Sequence, residues 1–276
     1  MEKVSNIIPY YIKQLNGVVQ EREIISLAYI SIDFLLGYSR SDCIIHSDKD
    51  ITSEVSGKIK EIIADLKTNK PIQHIIGETE FYGLKFKVNE HTLIPRPETE
   101  ELVQWILEHE FTSALDIGTG SGCIPIALKK NKDAEITAID VSESALWVAK
   151  ENAKINEVEI NFLLQDILKT TTLPKIDVII SNPPYIDEKS SYLNNPELSY
   201  EPKIALISKN KGLKDISHII EESPNFLSKK GRVFIEHGFD QSGEINSIFL
   251  NNNFTKITQH KDLNKIIRVS SGEIKN

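Results

Sequence analysis

After Phe111 the chain alternates short apolar runs with helical segments, and this alternation constrains its fold more than any other feature. The apolar runs predict strands at 113–116, 135–140, 160–164, 176–181, 231–236, 254–258 and 265–270. Helices are expected between them, near 121–130, 143–155, 212–225 and 240–250. Strands that alternate with helices pair mostly in parallel and are covered on both faces, so an α/β fold with a doubly wound sheet is expected. The segment 182–211 breaks the alternation with little regular pattern. Connections of that length are commonly functional.

The part before Phe111 has a different texture. Residues 1 to 70 carry no strand signal. Val55, Ile59, Ile62, Ile63 and Leu66 recur at helical spacing and make one apolar face. A helix over 21–36 ends at Gly37, as glycine ends helices. Pro71 then forces Lys70 out of helical dihedrals. Phe81, Leu84, Phe86 and Val88, set around Gly83, predict a hairpin. Pro97 fits the first turn of the next helix, with Glu98, Glu100 and Glu101 near its positive end. Three regions result: a helical domain over 1–75, a hairpin linker over 76–95 and an α/β domain over 96–276.

Composition narrows the function classes. With 40% hydrophobic residues among 276, the chain has material for a real core. Its net charge of −8 counts against simple binding to a phosphate backbone. Cys43 and Cys123 match no metal spacing and are too few for a disulfide scaffold, so both read as free thiols in a reducing, cytoplasmic setting. The N-terminus lacks a signal-peptide pattern, and the most apolar stretch, 24–36, is interrupted by Asp33 and too short to span a bilayer. Neither a membrane anchor nor a metal is expected.

The first strand of the α/β part runs into Asp116-Ile117-Gly118-Thr119-Gly120-Ser121-Gly122. Glycine allows close backbone approach to a ligand, and in a doubly wound sheet such a turn lies at the carboxyl edge. A dinucleotide fingerprint has the spacing Gly-x-Gly-x-x-Gly, which this loop lacks. Asp116 would also repel a pyrophosphate. A cationic ligand without phosphate, such as S-adenosylmethionine with its sulfonium and ammonium, suits the loop better. A third reading is a tight strand–helix turn and nothing more. Asp140 ends the next strand, where a carboxylate can accept from ribose hydroxyls. Asp166 follows the third, placed to accept from an adenine amino group or, more blandly, to cap a turn.

The fourth strand ends in Asn182-Pro183-Pro184-Tyr185. The prolines stiffen the backbone, and Pro184 has no N–H, which leaves the Pro183 carbonyl free to accept. The Asn182 side-chain carbonyl is a second acceptor. Two acceptors converging on a planar NH₂ group would orient it, with Tyr185 as a flat face beside it. An amide or aromatic amino nitrogen is a poor nucleophile because its lone pair is delocalised. Holding both N–H bonds in fixed geometry favours pyramidalisation, and orientation contributes up to about 7–11 kcal/mol. Read blandly, the same tetrapeptide is a Pro-Pro turn with an Asn cap.

Further stretches carry a resemblance. They are 71–77, 81–84, Thr92-Leu93-Ile94-Pro95-Arg96-Pro97-Glu98-Thr99-Glu100, 116–122, 182–185, 200–206 and 262–269. Through them the chain resembles the bacterial peptide chain release-factor glutamine methyltransferases, within the class I S-adenosylmethionine-dependent methyltransferases. The likeness covers nearly the whole chain. Asn-Pro-Pro-Tyr is shared with DNA amino-methyltransferases, whereas the stretch 94–100 is far more specific.

The resemblance implies a seven-stranded Rossmann-like methyltransferase sheet. It implies methyl transfer to N5 of the glutamine in the Gly-Gly-Gln motif of class-1 release factors 1 and 2, with S-adenosylhomocysteine as product. The expected cofactor set is Asp116, Gly118, Thr119, Gly120, Gly122, Asp140, Asp166 and Asn182. Asn182, Pro183, Pro184 and Tyr185 are the expected substrate set, with Asn182, Pro183 and Tyr185 at the chemistry. The helical domain is expected to grip the release factor, and the enzyme to act as a monomer without direct nucleic-acid contact. A charge of −8 then fits a partner with a basic surface. His74 stands where the family often has tyrosine, and Asn264-Lys265 replaces a smaller, glycine-containing pair. His237 reads as a sheet-edge residue. Arg96 and Glu98 are expected to hold the inter-domain junction or the hairpin. Alternatives are a ribosomal-protein glutamine as substrate, a DNA amino-methyltransferase, a nucleotide-binding oxidoreductase and a non-catalytic binding module.

Overall fold

Helices fill the chain up to Gly77, and strands begin directly after it. The computed structural model describes residues 2–169 and 173–275, so the extreme ends of the expected domains, residues 1 and 276, lie outside it. The chain divides into two compact units, Met1–Gly77 and Glu78–Asn276.

The first unit comprises α1 (Ile7–Leu15), α2 (Glu21–Leu36), α3 (Arg40–Ile45), α4 (Ser53–Leu66) and α5 (Ile72–Ile76). Gly37 closes α2 in the left-handed region at φ 66°, a conformation that costs glycine little. Ser39 and Asp42 form a capping box at the start of α3. Ile7, Tyr11, Leu15, Ile24, Ala28, Ile32, Ile59 and Ile63 make the core, so the spacing expected around Ile59 does produce a buried face.

The second unit opens with a hairpin of β1 (Glu78–Phe81) and β2 (Leu84–Lys87), turning at Tyr82 and Gly83 with φ of 52° and 71°. Then come α6 (Pro97–Leu107), β3 (Ser113–Ile117), α7 (Cys123–Asn131), β4 (Glu135–Asp140), α8 (Glu143–Ile155), β5 (Asn161–Leu164) and β6 (Ile176–Ser181). Short pieces follow: β7 (Ile186–Asp187), α9 (Lys203–Leu206) and β8 (Ile207–Ser208), the two strands pairing in parallel. The chain ends with α10 (Lys214–Glu222), β9 (Leu227–Glu236), α11 (Ser242–Asn251), β10 (Phe254–Lys261) and β11 (Ile267–Ile274).

The main sheet has seven strands in the order β10-β11-β9-β6-β3-β4-β5. β3, β4, β5, β6 and β9 pair in parallel, and β11 is antiparallel to both neighbours. Successive side chains alternate between faces. Ala114, Ile136, Val178, Ile180 and Phe234 pack with α6 and α7. Leu115, Ile117, Ile139, Ile179, Val233 and Ile235 pack with α10 and α11. Both faces are covered, as parallel strands require. The chain runs outward from β3 through β4 to β5, then returns to β6 on the other side of β3. The reversal opens a crevice at the carboxyl ends of β3 and β6, the position where such sheets bind ligands.

Asn152 of α8, fully buried, ties the hairpin to this edge. Its Oδ1 accepts from the Lys87 N–H at 2.7 Å, and its Nδ2 donates to the carbonyls of Lys87 and Ser121. Cys43 and Cys123 are buried in the cores of the first and second unit respectively.

Candidate active site

The turn after β3 uses its own amides. Gly118 and Thr119 N–H groups donate to the Ile139 carbonyl at 2.9 and 3.1 Å, and Gly122 N–H donates to the Thr119 carbonyl at 2.9 Å. Gly120 N–H donates to Asp140 Oδ2 at 2.9 Å. The three glycines hold φ of 74°, 54° and 80°, which explains why glycine stands there. A phosphate cradle aims such N–H groups at its ligand. Here these four are spent inside the protein, so the dinucleotide reading loses donors it needs.

Asp116 lies between Ala138 and Ile180 in the sheet and is fully buried. Neither carboxylate oxygen has a hydrogen-bond partner. Burial pushes its pKa up to about 7; the Thr119 hydroxyl, nearby but outside bonding geometry, lowers it by less, and the Asp140 carboxylate adds to the rise. An unpaired buried carboxylate is costly, and a cationic ligand group nearby would relieve it.

A cavity of about 360 Å³ opens at the crevice. It is lined by 118–121, by 139–142, 165–167 and 181–184 at the ends of β4, β5 and β6, and by Thr99 of α6. Asp140 is 9% exposed, and its second oxygen accepts from the Ser142 N–H at 2.9 Å. Burial raises its pKa, outweighing the pull down from the backbone N–H groups of Ser142, Gly120 and Val141. Asp166 lines the cavity and pairs with Lys169 at 3.2 Å. Beside it, Gln165 presents a buried Oε1 without a hydrogen-bond partner. Sequence reasoning passes over Gln165, though a polar residue at a strand end next to Asp166 was the available signal.

Asn182 follows β6. Its Nδ2 donates to Thr99 Oγ1 at 3.2 Å, and the Thr99 hydroxyl donates to Glu236 Oε2 at 2.8 Å. With the amino group engaged, the Asn182 carbonyl oxygen is the acceptor left to the cavity that Asn182 lines. Thr99 and Glu236 are each 2% exposed. Burial raises the Glu236 pKa to about 7, against smaller pulls down from Thr99, Arg268 and Asn182 and a rise from Glu98.

The cavity thus brings together Gly118, Thr119, Gly120, Asp140, Asp166, Asn182, Pro183 and Pro184. Asp116, Gly122 and Tyr185 are not in its lining. A Cβ on Gly122 would stand 3.1 Å from that of Ala149, so this glycine serves the packing of α7 on α8. Tyr185 packs against the core beside α10 and α11, its carbonyl accepts from Gln241 Nε2 at 3.0 Å, and burial raises its hydroxyl pKa. Its neighbours are therefore core residues as well as the prolines before it.

Arg96 lines the cavity and forms an ion pair with Glu201, whose other oxygen accepts from the Ile94 N–H at 3.0 Å. The arginine clasps the 182–211 segment to the stretch before α6, a partner that its expected place at a junction or hairpin does not include. His237 is fully buried. Its ring nitrogens lie 2.9 Å from the Gly238 carbonyl and from Ser270 Oγ, and burial lowers its pKa. Among the described residues no helix is long and apolar enough to cross a membrane.

Comparison with known proteins agrees with this geometry. The Methyltransferase small domain family matches residues 97–196, and the PrmC N-terminal domain family matches residues 14–77. The chain is 38% identical to the release factor glutamine methyltransferase of Flavobacterium psychrophilum, over 94% of this chain and 95% of the relative. It is likewise 38% identical to the one from Streptococcus pneumoniae, over 90% and 89% of the two chains. Among solved structures, a methyltransferase from Pyrococcus furiosus superposes with a TM-score of 0.56 at 18% identity, covering 80% of this chain and 98% of that one, which shows the shared fold. Matched over almost the full length of these relatives, the chain belongs to the release factor glutamine methyltransferase family.

Proposed function

We propose that this chain transfers a methyl group from S-adenosylmethionine to the N5 side-chain amide nitrogen of the glutamine in the Gly-Gly-Gln motif of class-1 release factors. The observation that carries the reading is the meeting, in one cavity, of a glycine turn whose amides are internally satisfied and an Asn182 whose amino group is already engaged. Family membership supplies the substrate class.

The residues present fit S-adenosylmethionine. The Asp116 carboxylate, buried and without a hydrogen-bond partner, suits the electrostatics of a cation. Asp140 is assigned to the ribose hydroxyls, and Asp166 to the adenine amino group. When bound, S-adenosylmethionine supplies an electrophilic methyl group on a positively charged sulfur.

The chain's own work is orientation. Asn182 Oδ1 and the Pro183 carbonyl accept the two N–H bonds of the glutamine amide, which concentrates electron density on nitrogen and favours its pyramidal form. The rigid backbone of Pro183 and Pro184 holds the two acceptors at fixed separation. Most of the rate gain is assigned to this positioning. The alkylated nitrogen is acidic and loses its proton readily, so the scheme asks for no strong base.

The test is a panel. Purified protein is incubated with labelled S-adenosylmethionine and, separately, with release factors, ribosomal proteins and DNA. Label in release factors is expected. Label confined to a ribosomal protein or to DNA would replace this reading with the corresponding alternative.

A further inference from the structure

We propose that Thr99 and Glu236 are positioning residues for methyl transfer, setting the Asn182 side chain so that its carbonyl oxygen, and not its amino group, meets the substrate amide. This rests on the function proposed above.

The two ends of an asparagine amide are nearly the same size, yet they are opposite in hydrogen bonding. Turned one way, Asn182 accepts an N–H bond from the substrate. Turned the other way, it points a donor at a donor and holds nothing. Some feature must choose between the two, and the cavity side cannot do so before substrate arrives.

The chain behind Asn182 makes that choice. Once ionised, above its raised pKa of about 7, Glu236 can only accept, so it commits the Thr99 hydroxyl hydrogen to itself, at 2.8 Å. Thr99 Oγ1 then offers Asn182 only lone pairs. The neighbour at 3.2 Å must therefore be the Asn182 amino group. Three elements contribute one residue each: the first turn of α6, the end of β9 and the residue after β6. Strand pairing brings them together, since Ser181 lies opposite Ile235, which leaves Asn182 and Glu236 side by side beyond the last registered pair.

Burial makes the relay decisive. Thr99 and Glu236 are each 2% exposed, so water has little chance to substitute for either partner. Glu236 is absent from the cavity lining, whereas Thr99 and Asn182 belong to it. The carboxylate therefore acts through Thr99, and through its own contact with the Asn182 side chain, and not on the substrate. Arg268 and Glu98 contribute opposing fields at Glu236, but Arg268 is itself bonded to Asp262 at 3.3 Å.

The experiment measures steady-state methylation of a release factor together with calorimetric affinity for S-adenosylmethionine. Thr99→Val keeps the shape and removes the hydroxyl; kcat is expected to fall roughly 10- to 100-fold, the scale of a misplaced reacting group, with cofactor affinity unchanged. Thr99→Ser restores the hydroxyl and should recover most of kcat. Glu236→Gln, which can donate as well as accept, should also lower kcat. Wild-type kcat in Thr99→Val or in Glu236→Gln overturns the proposal, as does a Thr99→Ser protein as impaired as Thr99→Val.

A second readout is independent of activity. Hydrogen exchange of the Asn182 Nδ2 protons, followed by NMR, should be slow in the wild type and faster in Thr99→Val. Equal exchange in both overturns the relay. If the wild type shows slow exchange and no methylation of release factors, the proposed function fails while the relay stands.

Discussion

Asp140 Oδ2 accepts the Gly120 N–H at 2.9 Å, so the carboxylate that ends β4 closes the turn that follows β3. Its other oxygen accepts from Ser142 at the start of α8. Both oxygens keep lone pairs for a ribose diol. Asp140→Ala is expected to weaken S-adenosylmethionine binding by about 1–3 kcal/mol, the scale of lost hydrogen bonds to a charged group. Calorimetry giving an unchanged dissociation constant would remove Asp140 from the cofactor site.

Asn182→Ala deletes the proposed side-chain acceptor for the substrate amide. Methyl transfer should be abolished while S-adenosylmethionine affinity stays near the wild-type value. Retained turnover in a single-substrate assay would show that the acceptor is not Asn182.

Asp116 links the site to stability. Its pKa in the folded protein, about 7, lies above the ordinary carboxylate value near 3.9. Between those values the folded state binds more protons than the unfolded state, so the contribution of Asp116 to stability is fully present at low pH and is lost as pH rises toward 7. Asp116→Asn removes the buried charge. The ligand-free variant should melt above wild type at pH 8, with the gap narrowing at lower pH, and S-adenosylmethionine should stabilise it less. A variant that melts lower at pH 8 contradicts the assignment of Asp116 as an uncompensated buried acid.

Asp177 has the opposite sign. Burial raises its pKa, but the Thr112 and Ser113 N–H groups and the hydroxyls of Ser228 and Thr112 outweigh it and hold the carboxyl at about 2. These bonds stitch β6 to the start of β3 and to β9. The stabilisation is present above the ordinary carboxylate value and is lost as pH falls through about 2. Asp177→Ala should cost about 1–3 kcal/mol at neutral pH. Denaturant titrations should show the difference from wild type shrinking in acid, and a constant difference would refute the coupling.

Much of the architecture is readable from local pattern because each strand is a separate apolar run. The expected strand at 135–140 and helix at 143–155 coincide with β4 and α8. β9 begins four residues earlier than its apolar core suggests, since Lys229, Lys230 and Gly231 interrupt the run and the pairing register shifts between Ile176 and Val178. The placement of β11 between β9 and β10 is a long-range pairing that no local pattern encodes. The site divides in the same way. The glycine turn and Asn182 stand out by composition. Thr99 and Glu236 do not, because a hydroxyl and a carboxyl 137 residues apart acquire a joint role only when α6 and β9 are brought together. Glu201 is hidden for the same reason, as its partner Arg96 lies 105 residues away.

The most direct test locates the methyl group. Wild-type protein is incubated with S-adenosylmethionine and a purified class-1 release factor, and the digested release factor is fragmented by mass spectrometry. The account predicts one methyl group on the side-chain amide of the Gly-Gly-Gln glutamine. A methyl group on any other residue, or an unmodified release factor, would contradict it.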